Sequence, residues 1–378
     1  MTLVALGETA RFVNGAAFKP EDWCSEGLPI IRIQNLTGTG GSFNLTQRAV
    51  KPELVVEPGD LLVSWSATLD VYRWTGSRGL LNQHIFKVLP KPGVDPGYLY
   101  YALKSSLAEL SAKTHGSTMK HVVRGDFEST RIRLPALDEQ RRVVDLLARA
   151  EGIVRLRREA QQKAAELIPA IFIDMFGNPA TNPKQLPLRS VRELVARFEG
   201  GKNLQAGSDG GTDFRILKVS AVTSGEYVET ESKPTPNGYE PPQNHVVREG
   251  DMLFSRANTE ELVGATAVVR ATNGRTLLPD KLWRFVWAEP VEKAFMHALF
   301  QSAHVRRELG KLSSGTSASM RNISQAKLFE LRLPLPSLEK QRAFSQRADA
   351  VQSIRSQQEV ALAKAEATFD ALLSRAFS

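Results

Sequence analysis

The sequence is poor in the residues that build covalent or metal frameworks. Its 378 residues contain one cysteine, Cys24, so no intrachain disulfide can form and no cysteine-based zinc site can be assembled. Cys24 reads as a packed thiol rather than a nucleophile. No apolar run approaches the roughly 18 residues of a membrane-spanning helix, so no membrane partner is expected. The opening MTLVALGETARF lacks a basic start followed by a long apolar core. No signal peptide is therefore expected, and a reducing cytoplasm is the expected compartment. The six histidines are scattered and form no H-E-x-x-H; His297 and His304 read as surface residues of a helix. A phosphate-binding G-x-x-x-x-G-K-[ST] is missing: Gly201-Lys202 has Ala196 where the first glycine belongs and Asn203 where Ser or Thr belongs. No G-x-G-x-x-G follows a strand, and the Asn-Pro-Pro-aromatic loop of adenine methyltransferases is missing. These gaps point away from an enzyme.

The composition that remains is globular, with 42% hydrophobic and 24% charged residues, and the length suits two domains. The net charge of +8 makes a polyanionic partner the natural one to test. That charge is not a tail. Residues 1–185 hold 23 Lys+Arg against 19 Asp+Glu, and residues 186–378 hold 26 against 22. Two halves of equal charge suggest an internal repeat.

The repeat is visible. LPALDEQR, from Leu134, returns as LPSLEKQR, from Leu335. VEPGDLLVSWSAT, from Val56, returns as VREGDMLFSRANT, from Val247. GSTMKHV, from Gly116, returns as GTSASMRNI, from Gly315, with two extra residues before the methionine. LNQHIFKV, from Leu81, pairs more loosely with LPDKLWRF, from Leu278. The four matches fall in the same order in both halves.

The LP-x-L-[DE]-x-Q-R element reads as a helix start. Pro135 and Pro336 close an extended segment, while Asp138 and Glu339 suit the positive end of a helix. The stretches that follow, about 138–175 and 339–376, are rich in strong helix formers. A heptad seam runs through Val143, Leu147, Ala150, Val154, Ala164, Ile168, Ile171 and Met175, and recurs through Phe344, Ala348, Val351, Leu362, Ala365, Phe369, Leu372 and Ala376. Two helices of this length, each about 57 Å at 1.5 Å per residue, are expected to pair as a coiled coil. Between them lie mixed segments. LPIIRIQNL, DLLVSWSA and QHIFKVL read as strands between Gly and Pro turns, and FRILKVSAV, DMLFSRA and KLWRFVW are their counterparts.

Two variable α/β globules alternating with two near-identical long helices, each announced by LPxL-[DE]-x-QR, resemble the DNA specificity subunit of type I restriction-modification systems. The resemblance covers essentially the whole chain and implies the following. The fold class is α/β, with two target recognition domains separated by two long antiparallel helices forming a coiled coil, related by an internal pseudo-twofold repeat. The expected division is a first recognition domain at 1–136, a first spacer helix at 137–177, a linker at 178–187, a second recognition domain at 188–337 and a second spacer helix at 338–378. The partners implied are double-stranded DNA and two copies of a separate methyltransferase subunit, with a restriction/translocase subunit as a further member of such systems. S-adenosylmethionine is expected on the methyltransferase, and no cofactor or metal on this chain, which would hold no catalytic residue.

Base reading needs Arg, Lys, Asn, Gln, Ser or Thr at groove depth, and phosphate contact needs Lys or Arg. The matched loops supply the DNA-binding candidates. In the first half these are Ser64, Trp65, Ser66, Asn82, Gln83, His84, Ser117, Thr118, Lys120, His121 and Arg124. In the second half they are Lys218, Ser255, Arg256, Asn258, Lys281, Ser317, Ser319, Arg321 and Asn322. Two other readings fit the residues alone: a coiled-coil adaptor whose globules bind protein, and part of a nuclease or methyltransferase whose catalytic portion lies elsewhere.

Overall fold

A computed structural model describes the chain except Met1, Ala67, Ser378 and residues 114–123, 205–212 and 318–319; at 108–113, 126 and 316–317 it describes the backbone only. The chain divides into two compact units, Met1–Glu159 with Val360–Ser378, and Ala160–Glu359. Both long helices run 40 residues, Leu137–Phe176 and Leu338–Phe377, so each begins in one unit and ends in the other.

The first unit is built on an antiparallel sheet in the order Ala10–Asn14, Ile85–Pro90, Leu61–Ser64, Asp70–Arg73. A second sheet pairs Leu28–Ile31 in parallel with Gly79–Leu81. Thr2–Ala5 pairs antiparallel with Arg131–Leu134, which clamps the start of the unit to the strand that leads into the long helix. The second unit repeats each device. Its main sheet runs Val195–Gly200, Leu282–Trp287, Met252–Ser255, Thr266–Val268. Arg215–Leu217 lies parallel to Thr276–Leu277, and Leu188–Ser190 pairs with Arg332–Pro334. The sequence repeat is thus a repeat of topology.

The glutamine of the LP-x-L-[DE]-x-Q-R element is the pin that sets the helix on its globule. Gln140 is 1% exposed; its Oε1 accepts from the Asp95 amide at 2.8 Å, and its Nε2 donates to the carbonyls of Pro135 and Gly93. Gln341 is 2% exposed, accepts from the Glu292 amide at 3.1 Å and donates to the Pro336 carbonyl at 3.0 Å. Each glutamine satisfies backbone groups at a helix entry that burial would otherwise leave unpaired.

A buried ion pair also repeats. In the first unit Lys87 Nζ lies 2.6 Å from Asp60 and donates to the Val55 carbonyl. At the matching place Arg284, 6% exposed, bonds Asp251 at 2.9 Å and Glu199 at 2.6 Å, and donates to the carbonyls of Val246 and Asn244. Glycine is needed at one matched position for close approach. A Cβ on Gly15 would stand 2.1 Å from the Asn82 carbonyl oxygen, and one on Gly201 would stand 1.6 Å from that of Leu278.

In the first unit the helix segments pack antiparallel: Leu147, Val154 and Phe369 are buried in the same core, with Val143, Ala150, Leu362, Ala365 and Leu372 partly buried against it. Arg158 bonds Glu366 across this pair at 2.6 Å. In the second unit Phe344 and Ala348 are buried with Phe172 and Phe176. Here the seam differs from its heptad reading, because Ile168, Ile171 and Met175 are only partly buried while Phe172 and Phe176 take the core places. The aromatic cluster of Phe172, Phe176, Phe295 and Phe344 explains the shift, since two large rings outcompete the aliphatic seam for buried volume.

Candidate nucleic-acid interface

In the second unit the chain leaves the strand Met252–Ser255 and turns through Arg256. That residue ties three loops together. Its amide donates to the Lys281 carbonyl at 3.1 Å, its carbonyl accepts from the Ile323 amide at 2.8 Å, and its Nε donates to the Asp280 carbonyl at 2.7 Å. Its guanidinium lies over the Trp283 ring at 5.6 Å. Beyond it a small sheet orders Ala257–Asn258, Met320–Asn322 and Ser314–Ser317, with Asn258 opposite Arg321 and Ala257 opposite Asn322. Arg321 is half-buried and braces its own hairpin, donating to Ser313 Oγ at 3.1 Å and to the Ser313 carbonyl at 3.2 Å. The structure therefore brings Arg256, Asn258, Lys281, Arg321 and Asn322 to one place, with the backbone of Ser317 in the same sheet.

Ser255 is different. It is fully buried, its amide donates to the Ala265 carbonyl, and it stands at a strand end. Ser64 repeats this: fully buried, it donates to the Thr68 carbonyl and accepts from the Asp70 amide at 3.1 Å. Ser66 is 7% exposed. The hydroxyls of Ser64 and Ser255 close the turn after a central strand, which is a structural task.

In the first unit the Trp65 amide donates to the His84 carbonyl at 3.3 Å, so the loops 64–66 and 82–84 meet. The Trp65 ring lies 5.6 Å from His84 and 5.8 Å from Phe86, and Arg124 lies over Phe86 at 6.0 Å. Arg124 also bonds Glu128 at 2.8 Å and the Phe12 carbonyl. Gln83 is exposed and bonds the His84 ring at 3.2 Å, while the Asn82 amide donates to the Ile31 carbonyl. Ser117, Thr118, Lys120, His121 and Ser319 lie outside the described residues, as does the side chain of Ser317.

Lys218 sits apart from Arg256, at the turn after Arg215–Leu217, in a cleft of about 310 Å³ that it shares with Lys281, Lys202 and Lys233. Sequence reasoning missed Lys202 and Lys233. It also missed Arg32, which takes Lys218's place after the strand Leu28–Ile31: both are extended residues that open a short helical turn. The signal was there in LPIIRIQNL and FRILKVSAV, but only the second string's lysine was singled out.

Two expectations are corrected. His297 is not a surface residue: it sits 3.0 Å from Thr266 Oγ1, and desolvation, then the charge of Arg270, pushes its pKa down to about 4. It faces inward because its helix, Lys293–Gln301, packs on the strand Thr266–Val268. Cys24 is exposed rather than packed, its Sγ 2.9 Å from the Glu26 carbonyl. Among the described residues no three His, Cys, Asp or Glu gather in a way that would hold a metal, and no helix is long and apolar enough to cross a membrane.

A family model described as "Type I restriction modification DNA specificity domain" matches residues 1–166. The second unit repeats the topology of the matched half. Residues 1–166 are therefore similar to the DNA specificity domain of type I restriction-modification systems. The chain is 22% identical over 375 residues to the type I restriction enzyme MjaVIII specificity subunit of Methanocaldococcus jannaschii, across 93% of this chain and 86% of that one. Its fold is similar to that of the S subunit of a type I restriction-modification system from M. genitalium, with a TM-score of 0.56 at 14% identity over 100% of this chain and 96% of that chain. It is also similar to a chain from a structural study of assembly and conformational transition in the type I system, with a TM-score of 0.59 at 20% identity over 99% and 97% of the two chains.

Proposed function

We propose that this chain is a type I restriction-modification specificity subunit that reads a bipartite DNA target, one half with each unit, and holds two copies of a methyltransferase subunit over it. The observation that carries this reading is the repeated topology: the same sheets present a loop cluster in each unit, with different side chains at its surface. Asn82-Gln83-His84 stands where Pro279-Asp280-Lys281 stands in the second unit. Identical frames with different readers suit two different half-sites. The working division is 1–136 and 188–337 for the recognition domains, 137–177 and 338–378 for the spacers, and 178–187 for the linker.

The methyltransferase copies dock on the long helices. In support, Leu146, Ile153 and Leu156 of the first helix are about half exposed, an apolar stripe at spacings of seven and three. A groove of about 320 Å³ beside it is lined by Ala150, Ile153, Ala361 and Ala365, with Lys364 and Thr368 at its edge. S-adenosylmethionine is carried by the methyltransferase, and the complex works in the cytoplasm where its DNA lies.

Methylome sequencing tests the reading. Replacing residues 188–334 with the equivalent segment of a relative should change one half of a bipartite methylated motif and leave the other half and the gap intact. A change in both halves, or methylation that does not depend on this chain, would refute it.

A further inference from the structure

Within the second unit, one cleft collects positive charge beside the loops gathered by Arg256. It lies between the segment after Gly200, the turn at Lys218 and the loop Pro279–Lys281, and its cationic lining is Lys202, Lys218, Lys233 and Lys281. Among the described residues Asp280 is the one carboxylate in the lining, and it is engaged by Arg256 at 3.6 Å. Lys233 donates to the Leu204 carbonyl at 2.7 Å and so holds one wall in place. Lys218 has Glu231 at 3.8 Å, at the limit of an ion pair. Among the described residues, neither Lys202 nor Lys281 has an ion-pair partner. The neighbouring His245 is held below the ordinary histidine range by desolvation first, then by the charges of Lys202 and Arg284, which is the effect expected beside an excess of positive charge.

We propose that this cleft is a phosphate site that anchors the second unit on the DNA backbone, next to the loops that read bases. The proposal rests on the DNA-reading function above and names one part of that surface. Three arguments support it. First, the ligand must be anionic, because among the described residues four ammonium groups face Asp280, which Arg256 engages, and Glu231, which reaches Lys218 alone, so the cleft keeps a net positive charge. Second, ammonium groups on flexible stems act as point charges, without the planar fork that reads guanine, so they suit phosphate oxygens better than base edges. Third, the cleft shares the Pro279–Lys281 loop with the Arg256 cluster, so an anion held there lies beside the base-reading loops. The volume, about 310 Å³, equals that of about ten waters, which accommodates a phosphodiester with part of its hydration.

The first unit carries the same frame with a different charge. Arg48 donates to the Ala17 carbonyl at 2.7 Å, much as Lys233 braces Leu204, and Arg32 stands in the place of Lys218. Ala16 replaces Lys202, and His84 replaces Lys281. The arginines are also engaged, Arg32 over Trp23 and Arg48 over Phe18 with Asp22 beside it. The second unit is therefore the stronger backbone anchor of the two.

The test uses the full chain assembled with its methyltransferase partner, with Lys202→Ala, Lys218→Ala and Lys281→Ala singly and together; Lys233 is kept because it braces the wall. Binding to a target duplex and to a scrambled duplex is measured against salt. For each lysine that contacts phosphate, the slope of log affinity against log salt should fall by about 1, affinity for both duplexes should drop by the same factor, and Lys→Arg should restore both. The methylated motif should stay unchanged. Wild-type slopes and affinities in all variants would overturn the anchor and leave the DNA-reading function intact. Loss on the target duplex alone would also overturn it, since the lysines would then be base readers. A wild-type complex that does not distinguish target from scrambled duplex would instead refute the function on which the proposal rests.

Discussion

Removing the Arg284 guanidinium should destabilise the second unit severely. Its side chain is 7% exposed, and its partners Glu199 and Asp251 are 15% and 13% exposed. Arg284→Met keeps the chain length and deletes every polar contact. It leaves two largely buried carboxylates without their shared cation, and the carbonyls of Val246 and Asn244 without a donor. Stripping one partner from a buried ionic cluster costs about 3–5 kcal/mol. Arg197, which bonds Glu199 at 2.6 Å from a more exposed position, recovers only part of that. Arg284→Lys should fall between the two, because a lysine at this place can serve Asp251 as Lys87 serves Asp60 but cannot span both acids. Removing Glu199 in the Arg284→Met background should return part of the loss. The assay is urea denaturation of the full chain, read by hydrogen exchange of peptides covering 195–200 and 282–287. Acid should shrink the difference between wild type and Arg284→Met. Burial raises the Glu199 pKa, but the hydrogen bonds from Arg284 and Arg197 outweigh it and hold the group below the usual carboxylate range. A depressed pKa gives stability that is present above the unfolded value, about 4.3, and is lost as pH falls through the folded one. An Arg284→Met variant within about 0.5 kcal/mol of wild type at pH 7, the range of ordinary surface changes, would refute the reasoning.

Four further outcomes are expected. Gln341→Leu should cost about 2–4 kcal/mol by orphaning the Glu292 amide and the Pro336 carbonyl, measured by exchange at the start of the second long helix; wild-type protection there would contradict the pin. His297 is neutral when folded but protonates below about pH 6.5 when unfolded, so the second unit should lose stability between about 6.5 and about 4; His297→Gln should flatten that stretch of the stability profile. Arg321→Ala should weaken target binding by about 1–3 kcal/mol and relax one half-site if the guanidinium reads a base, whereas a uniform loss on all sequences with a smaller salt slope would make it a phosphate contact. Inserting one heptad at matched points of both long helices adds roughly 10 Å, so the unread gap should lengthen by about 1–3 base pairs at about 3.4 Å each; an active variant with an unchanged gap in its methylome would show that the helices are not the ruler.

The long-range plan was legible because it rests on strong, repeated signals. Proline before an acidic helix start and a sustained apolar period are visible without knowing any contact. The strands Leu28–Ile31 and Gly79–Leu81 were harder, since four and three residues carry too little pattern to reveal that they lie parallel. Ser64 and Ser255 stand among the DNA-binding candidates because serine can meet a base edge and both lie in matched segments; the structure buries them because a hydroxyl can close a turn on the backbone as well as meet a ligand. His297 failed for the opposite reason, as an imidazole on an amphipathic helix looks exposed until a hydroxyl such as that of Thr266 is packed against it. Phe172 and Phe176 fell outside the heptad seam because the seam assumes that only the two helices compete for them, whereas Phe295 draws them into the globule.

The two halves also show what the repeat protects and what it releases. Gln140 and Gln341, Asp60 and Asp251, and Gly15 and Gly201 are identical in pairs and all serve the frame. Lys87 and Arg284 differ, and the difference is compensated locally. Arg284 reaches a second acid, Glu199, which stands across the sheet where Val13 stands opposite Lys87. Glu199 in turn is bonded by Arg197. One cation with one anion has become two with two, so the cluster stays balanced although its members changed. At the surface no such matching holds: Asn82-Gln83-His84 faces Pro279-Asp280-Lys281, and Ala16 faces Lys202. Charge is balanced where burial makes imbalance costly and is free to vary where water screens it. A frame kept by a few buried pairs lets the surface loops diverge without a cost in folding, which is the condition that the proposed reading of two different half-sites requires.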